Sequence, residues 1–167
     1  SSLATDNSTV TLIFQESVYS NVNGSGTPTV NNFSFSISGG TATLSSTTPS
    51  SIQVSNSNKT YVLGISLSGT PNGSETLTIS QHSSNKIYDS AGNDFPDPVN
   101  VTLNDKTAPT ISTYSPSHTS TISSNSANII LTFNEDVEEG SGNIVLTPSS
   151  GDSPITIDVT TSLVTFS

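Results

Sequence analysis

Cysteine is absent from the 167-residue chain, which removes disulfides, thiolate metal sites and cysteine nucleophiles together. Arginine is absent too, and three lysines stand against 13 acidic residues, for a net charge of −10. Little is therefore available to neutralise phosphates, and nucleic acid and anionic lipid are both excluded as partners. No apolar run approaches the roughly 18 residues that span a bilayer, so membrane insertion is not expected. The opening "SSLATDNS" has neither the basic nor the hydrophobic part of a signal peptide, and the segment reads as mature or internal. Histidine is scarce: His82 lies in the polar run "SQHSSNK" and His118 in "SPSHTS", neither in a triad-like or ligand-like setting. No nucleophile elbow, phosphate loop or zinc motif occurs, and the chain is expected not to be an enzyme.

What is present favours strands. Ser and Thr make up roughly a third of the residues, and β-branched types dominate the apolar set. Apolar and polar residues alternate over short runs: Val10, Leu12, Phe14; Phe33, Phe35, Ile37; Tyr61, Leu63, Ile65, Leu67; Leu77, Ile79; Val99, Val101, Leu103. A period of two over such lengths predicts half-buried β-strands. The runs are separated by "NVNGSGTP", "SGG", "TPSS", "SLSGTPNGS" and "DSAGND", rich in residues that tolerate positive φ or fix φ near −65°. Short strands joined by such turns predict an all-β, antiparallel sandwich.

The chain also repeats itself. "STVTLIFQESV" (8–18) lies on "ANIILTFNEDV" (127–137) so that Val10 meets Ile129, Leu12 meets Leu131, Phe14 meets Phe133, Glu16 meets Glu135 and Val18 meets Val137. Downstream, "NFSFSISGG" from Asn32 resembles "NIVLTPSSGD" from Asn143, in the same order. The Pro-containing run "NDKTAP" then reads as a joint, with Pro109 biasing Ala108 to extended geometry. Two domains are expected, 1–106 and 107–167.

The pattern L-x-F-x-E-x-V, the later D-x-A-G-N turn (Asp89, Ala91, Gly92, Asn93) and the D-K-T-A-P junction (Asp105 to Pro109) together resemble the bacterial Ig-like repeats of S-layer and other surface proteins, the SbsA-like type. The resemblance covers most of the chain. It implies tandem Ig-like antiparallel β-sandwiches serving as an extracellular stalk, spacer or adhesive segment of a cell-surface or appendage protein. Against roughly 100 residues for an Ig sandwich, the first copy lacks most of its opening strand and the second is incomplete. Either the chain belongs to a longer array, or neighbouring identical subunits supply the missing strands by complementation, forming a fibre.

Two kinds of site are candidates. Calcium is the one cofactor to which the acidic positions point: Asp89, Asp94, Asp97 and Asp105 with Glu16 around the first joint, and Glu135 and Asp136 within "NEDVEEGSGN". Neither an EF-hand nor a nonapeptide calcium repeat is matched, Lys106 opposes a cation at the joint, and the competing reading is solvated turns capped by their own side chains. Covalent glycans are the second: six N-x-S/T sequons begin at Asn7, Asn23, Asn32, Asn58, Asn72 and Asn100, a number that composition alone accounts for. Asn23 and Asn72 sit in Gly-containing loops, whereas Asn32 and Asn100 adjoin strands, where outward direction decides. The function expected is mechanical, a stalk or filament-forming segment that is glycosylated. The alternative is a calcium-dependent adhesin that binds glycans or another cell through loops such as "NVNGSGTPTVNN".

Overall fold

The structure, a computed structural model, describes residues 1–95, 98–117, 128–148 and 151–166. Its contacts divide the chain into two units, Ser1–Thr107 and Ala108–Ser167. Among the described residues the regular elements are strands and one 3-10 turn at Val30–Asn32, and no helix is long and apolar enough to cross a membrane.

The described residues of unit 1 form nine strands: β1 (Ser2–Leu3), β2 (Thr9–Ile13), β3 (Phe33–Ser38), β4 (Thr43–Leu44), β5 (Ile52–Ser55), β6 (Thr60–Gly64), β7 (Leu67–Ser68), β8 (Thr76–Gln81) and β9 (Val99–Thr102). One sheet has the order β1-β2-β6-β5 and the other β3-β8-β9, with β4 and β7 forming a two-residue ladder of their own. Every pairing is antiparallel. With that small ladder set aside, the strands lettered in chain order read A-B-E-D and C-F-G, the two sheets of a constant-type immunoglobulin sandwich. The opening strand, expected to be mostly missing, is the two-residue β1, whose Leu3 pairs with Val10.

The alternation in the sequence becomes the inward face. Val10 and Leu12 on β2 and Tyr61 and Leu63 on β6 lie buried with Phe33 and Phe35 on β3 and Leu77 and Ile79 on β8, in one cluster that Leu103 and Ile87 extend. Contact across the sheets is direct, since the Phe33 and Tyr61 rings lie 5.6 Å apart. Phe14, at the end of β2, meets Tyr61 edge-on at 5.6 Å and Phe95 at 5.3 Å, so the core continues into the connection after β8. Burial pushes the Tyr61 phenol up to about 12, and its hydroxyl donates to the Val18 carbonyl at 3.4 Å.

The hairpin between β5 and β6 turns on Asn56, Ser57 and Asn58, all at φ between 52° and 61°. Asn tolerates this left-handed region because its short polar side chain bonds locally. The Lys59 N–H closes the turn by donating to Asn56 O at 3.2 Å.

Unit 2 contributes two antiparallel ladders, β10 (Ile111–Ser115) with β11 (Ile130–Phe133) and β12 (Asn143–Leu146) with β13 (Ile155–Asp158). The two aligned sequence blocks thus fall on β2 and β11, and the blocks after them on β3 and β12. Their environments differ: Val10 and Leu12 are 0% and 3% exposed, whereas the aligned Ile129 and Leu131 are 54% and 36% exposed.

Leu63→Ala is expected to cost roughly 2–5 kcal/mol in a denaturant titration of the full chain, because it opens a cavity between two faced sheets. Ile13→Ala, at a side chain 69% exposed, is expected to change stability by no more than about 0.5 kcal/mol. Equal effects at the two positions would contradict the assignment of inward and outward faces.

Candidate functional site

The acidic positions resolve into local turns. Asp89 accepts hydrogen bonds at Oδ1 from the Ala91 and Asn93 N–H groups (2.8 and 2.9 Å) and at Oδ2 from Asn93 Nδ2 (2.8 Å). These donors, the Asn93 side chain foremost, hold its carboxyl below the usual range. The D-x-A-G-N motif is therefore a self-capped turn, and its glycine is required by two facts: φ is +89°, and a Cβ would meet Val22 O at 2.9 Å. Asp94 pairs with Lys86, which lowers the carboxyl's pKa and raises the amine's. Asp105 accepts from the Thr107 N–H at 2.7 Å, a cap within the connector itself. Glu16 is exposed just after β2. In unit 2, Asp136 is exposed and Glu135 half-buried, with its Oε1 buried and unpartnered. Among the described residues no three of His, Cys, Asp and Glu come together in a group able to hold a metal ion. Asp97 and His118 lie outside the described residues, and His82 Nδ1 accepts from the Ser84 N–H at 3.2 Å within its own loop.

The six sequon asparagines separate cleanly. Asn7 is 2% exposed, with its amide donating to Asn104 O at 2.8 Å and its oxygen accepting from Asn104 N–H at 2.9 Å. Asn32 is 6% exposed, and its Nδ2 donates to the carbonyls of Asn85 and Lys86, both at 3.2 Å. A sugar on either nitrogen would remove buried hydrogen bonds. Asn58 is half-buried in the β5–β6 hairpin at φ 61°. Asn23 and Asn100 are exposed, and Asn100 points outward from β9, where its oxygen accepts from Thr78 Oγ1 at 2.7 Å. Half-buried Asn72 uses its oxygen to accept from the Ser74 N–H at 3.1 Å, which leaves the nitrogen outside that turn bond.

The carboxylate that organises backbone is one the sequence does not mark. Glu75, directly before β8, is 0% exposed. Its Oε1 accepts from the Thr41 and Ala42 N–H groups at 2.7 and 2.9 Å, and its Oε2 from the Asn72 N–H at 3.0 Å. Burial raises its pKa, yet the donors from Ala42, Thr41 and Asn72 outweigh it, and the group stays below the usual range. Gly40 is obligatory beside it: φ is +58° and a Cβ would stand 2.1 Å from the carboxylate. The alternating pattern carries no trace of this residue, because its partners are main-chain groups, one in its own connection and two in the distant loop at residues 41–42.

Glu75→Gln is expected to destabilise the chain by about 2–3 kcal/mol at neutral pH, since an amide replaces an ionised acceptor of several buried N–H groups. The folded pKa is lowered, so the stabilisation is complete above the reference value of 4.5 and fades as pH falls through the folded value. Thermal melts of the two proteins should therefore converge as the pH drops below 4.5, and a gap that persists or widens would rule the charge out as its source.

Comparison with known proteins adds one match and two negatives. Residues 105–167 match the family described as bacterial Ig-like domain. The match is to bacterial Ig-like domains at large and does not single out the S-layer type. No curated protein and no solved structure matches the chain. Domains of this family occur in bacterial surface proteins and are typically non-catalytic. Residues 105–167 thus resemble a bacterial Ig-like domain, and the part of the chain before them forms two sheets with the immunoglobulin order of strands.

Proposed function

We propose that the chain is a non-enzymatic stalk or spacer segment of an extracellular surface or appendage protein, built from two copies of one Ig-like module, 1–106 and 107–167. The observation that carries this reading is the coincidence of the A-B-E-D and C-F-G sheets in unit 1 with the bacterial Ig-like match that begins at residue 105. Two independent kinds of likeness give one architecture to successive parts of the chain. A sandwich of this kind confers stiffness, because its faced sheets are packed at crystal-like density and deform only at a cost. The acidic balance keeps such an array solvated and self-repelling.

Two finer features extend the proposal. Covalent glycans attach at Asn23, Asn72 and Asn100, whose nitrogens avoid the buried bonds that occupy Asn7 and Asn32. Assembly proceeds through strand complementation of unit 2, supported by Ile111, Ile130, Val145 and Ile155, each more than half exposed within that unit. The complementing strands come from neighbouring repeats or identical subunits.

Gold-labelled antibody against the chain should decorate intact, unpermeabilised source cells, whereas labelling only after lysis would overturn the surface assignment. Native material analysed by intact mass and peptide mapping should carry sugar-sized increments on peptides holding Asn23, Asn72 or Asn100. An unmodified mass would remove the glycan part of the proposal and leave the stalk intact.

A further inference from the structure

The two longest connections of unit 1 interlock. Residues 14–32 join β2 to β3 and residues 82–98 join β8 to β9. Each is far longer than the roughly 4–6 residues that are the median between elements of compact domains. In the lettering of the sandwich they are the B–C and F–G connections, which emerge at the same end, where immunoglobulin variable domains carry two of their binding loops. Here they are zipped together. Tyr19 and Tyr88 exchange N–H to carbonyl hydrogen bonds at 2.7 and 2.8 Å, and the His82 N–H donates to Asn32 O at 2.8 Å. On the far side, a Cβ at Gly24 would come within 3.2 Å of Ser90 O, so the backbones approach closely there as well.

Between the two connections lies a cleft of about 340 Å³. Ser20, Thr29 and Asn31 line it from one connection, and Ser84, Asn85 and Tyr88 from the other. Asn32 fixes its base: the side chain is 6% exposed, spans to Asn85 and Lys86, and accepts from the Thr29 N–H at 2.8 Å. Lys86 also borders the cleft, but its ammonium is bonded to Asp94, so the lining presents no uncompensated charge.

This chemistry selects a ligand class. Hydroxyls and primary amides donate and accept together, which suits a molecule that does the same at every carbon. Tyr88, half-buried, completes the lining on the same side. An apolar ligand would meet almost no apolar lining, a cation no lining carboxylate, and a polyanion the field of a chain with net charge −10. The volume is at the small end of the roughly 300–1,000 Å³ of ligand clefts, enough for one or two rings. We infer that the open cleft between residues 20–32 and 84–88 binds a neutral saccharide, taking a terminal pyranose or disaccharide. The site needs no metal and is independent of the stalk reading, since a spacer can carry it or lack it.

The test is an amide-shift titration of the full 167-residue chain by two-dimensional NMR. The probes are the methyl glycosides of glucose, galactose, mannose and N-acetylglucosamine, with sialyllactose as the anionic control. At about 10 mM probe, near saturation for a Kd of about 1 mM, at least one neutral glycoside should shift the amides of Thr29, Asn31, Ser84, Asn85 and Tyr88. Asn31→Ala with Ser84→Ala, both at exposed side chains, should weaken that binding about tenfold without moving the melting temperature. Asn85→Ala, also at an exposed side chain, keeps the carbonyl that Asn32 bonds and should do the same. The inference is overturned if no neutral glycoside shifts these amides, if shifts appear only elsewhere, or if sialyllactose alone binds. It is overturned equally if both variants bind as the parent does.

Discussion

The structure of unit 1 depends on one aromatic side chain, Tyr61, and on what must surround it. Its ring sits on β6 with no exposure, faces Phe33 across the inter-sheet space and takes Phe14 on its edge. Phe14 in turn meets Phe95 from the β8–β9 connection, and the Tyr61 hydroxyl reaches Val18 in the β2–β3 connection. A single dry contact therefore joins both sheets to the two long connections. Aromatic pairs in such tilted and edge-on arrangements contribute beyond their buried area, by about 0.5–1.5 kcal/mol each. The loops are anchored at their roots by contacts that continue the core, and the paired Tyr19 and Tyr88 backbones hold them together further out.

Polar groups follow the opposite logic, and the disposition of the carboxylates illustrates it. Asp89 and Asp105 close the turns in which they stand, and Asp94 is neutralised by Lys86. Exposed pairs and caps of this kind add little individually to stability. Glu75 is different because it is buried: its oxygens satisfy N–H groups from the loops at residues 41–42 and at residue 72, which would otherwise be stranded. Among the described residues Glu75 is thus the buried carboxylate, and most of the others stand in water, a pattern that composition alone reads as an invitation to cations.

The units differ in how far their apolar residues are covered. In unit 1 the residues of β2 are sandwiched between β6 beside them and β3 and β8 opposite. In unit 2 the aligned residues of β11 lie on a two-stranded ladder and remain open within that unit. Ladders this small are rarely stable in water unless a third strand or a second sheet covers their apolar face. That physical demand, more than any motif, is what supports the proposal that further strands cover unit 2.

The sequence by itself determined the strands and their inward faces: Val10, Leu12, Phe33, Phe35, Tyr61, Leu63, Ile65, Leu77, Ile79 and Leu103 all read as alternating and are all buried. A period of two is a local property, so it is written in consecutive residues. The D-x-A-G-N turn was equally legible, since its cap and its glycine lie within five residues. Which asparagines face inward, how Glu75 serves two loops, and that residues 14–32 and 82–98 close on a common polar cleft were decided only in three dimensions. Those features mostly join groups tens of residues apart through hydrogen bonds to main-chain groups, as the Asn32 side chain does with the Asn85 carbonyl, 53 positions away. Main-chain donors and acceptors are the same at nearly every residue, so the sequence carries no signal of which ones will meet.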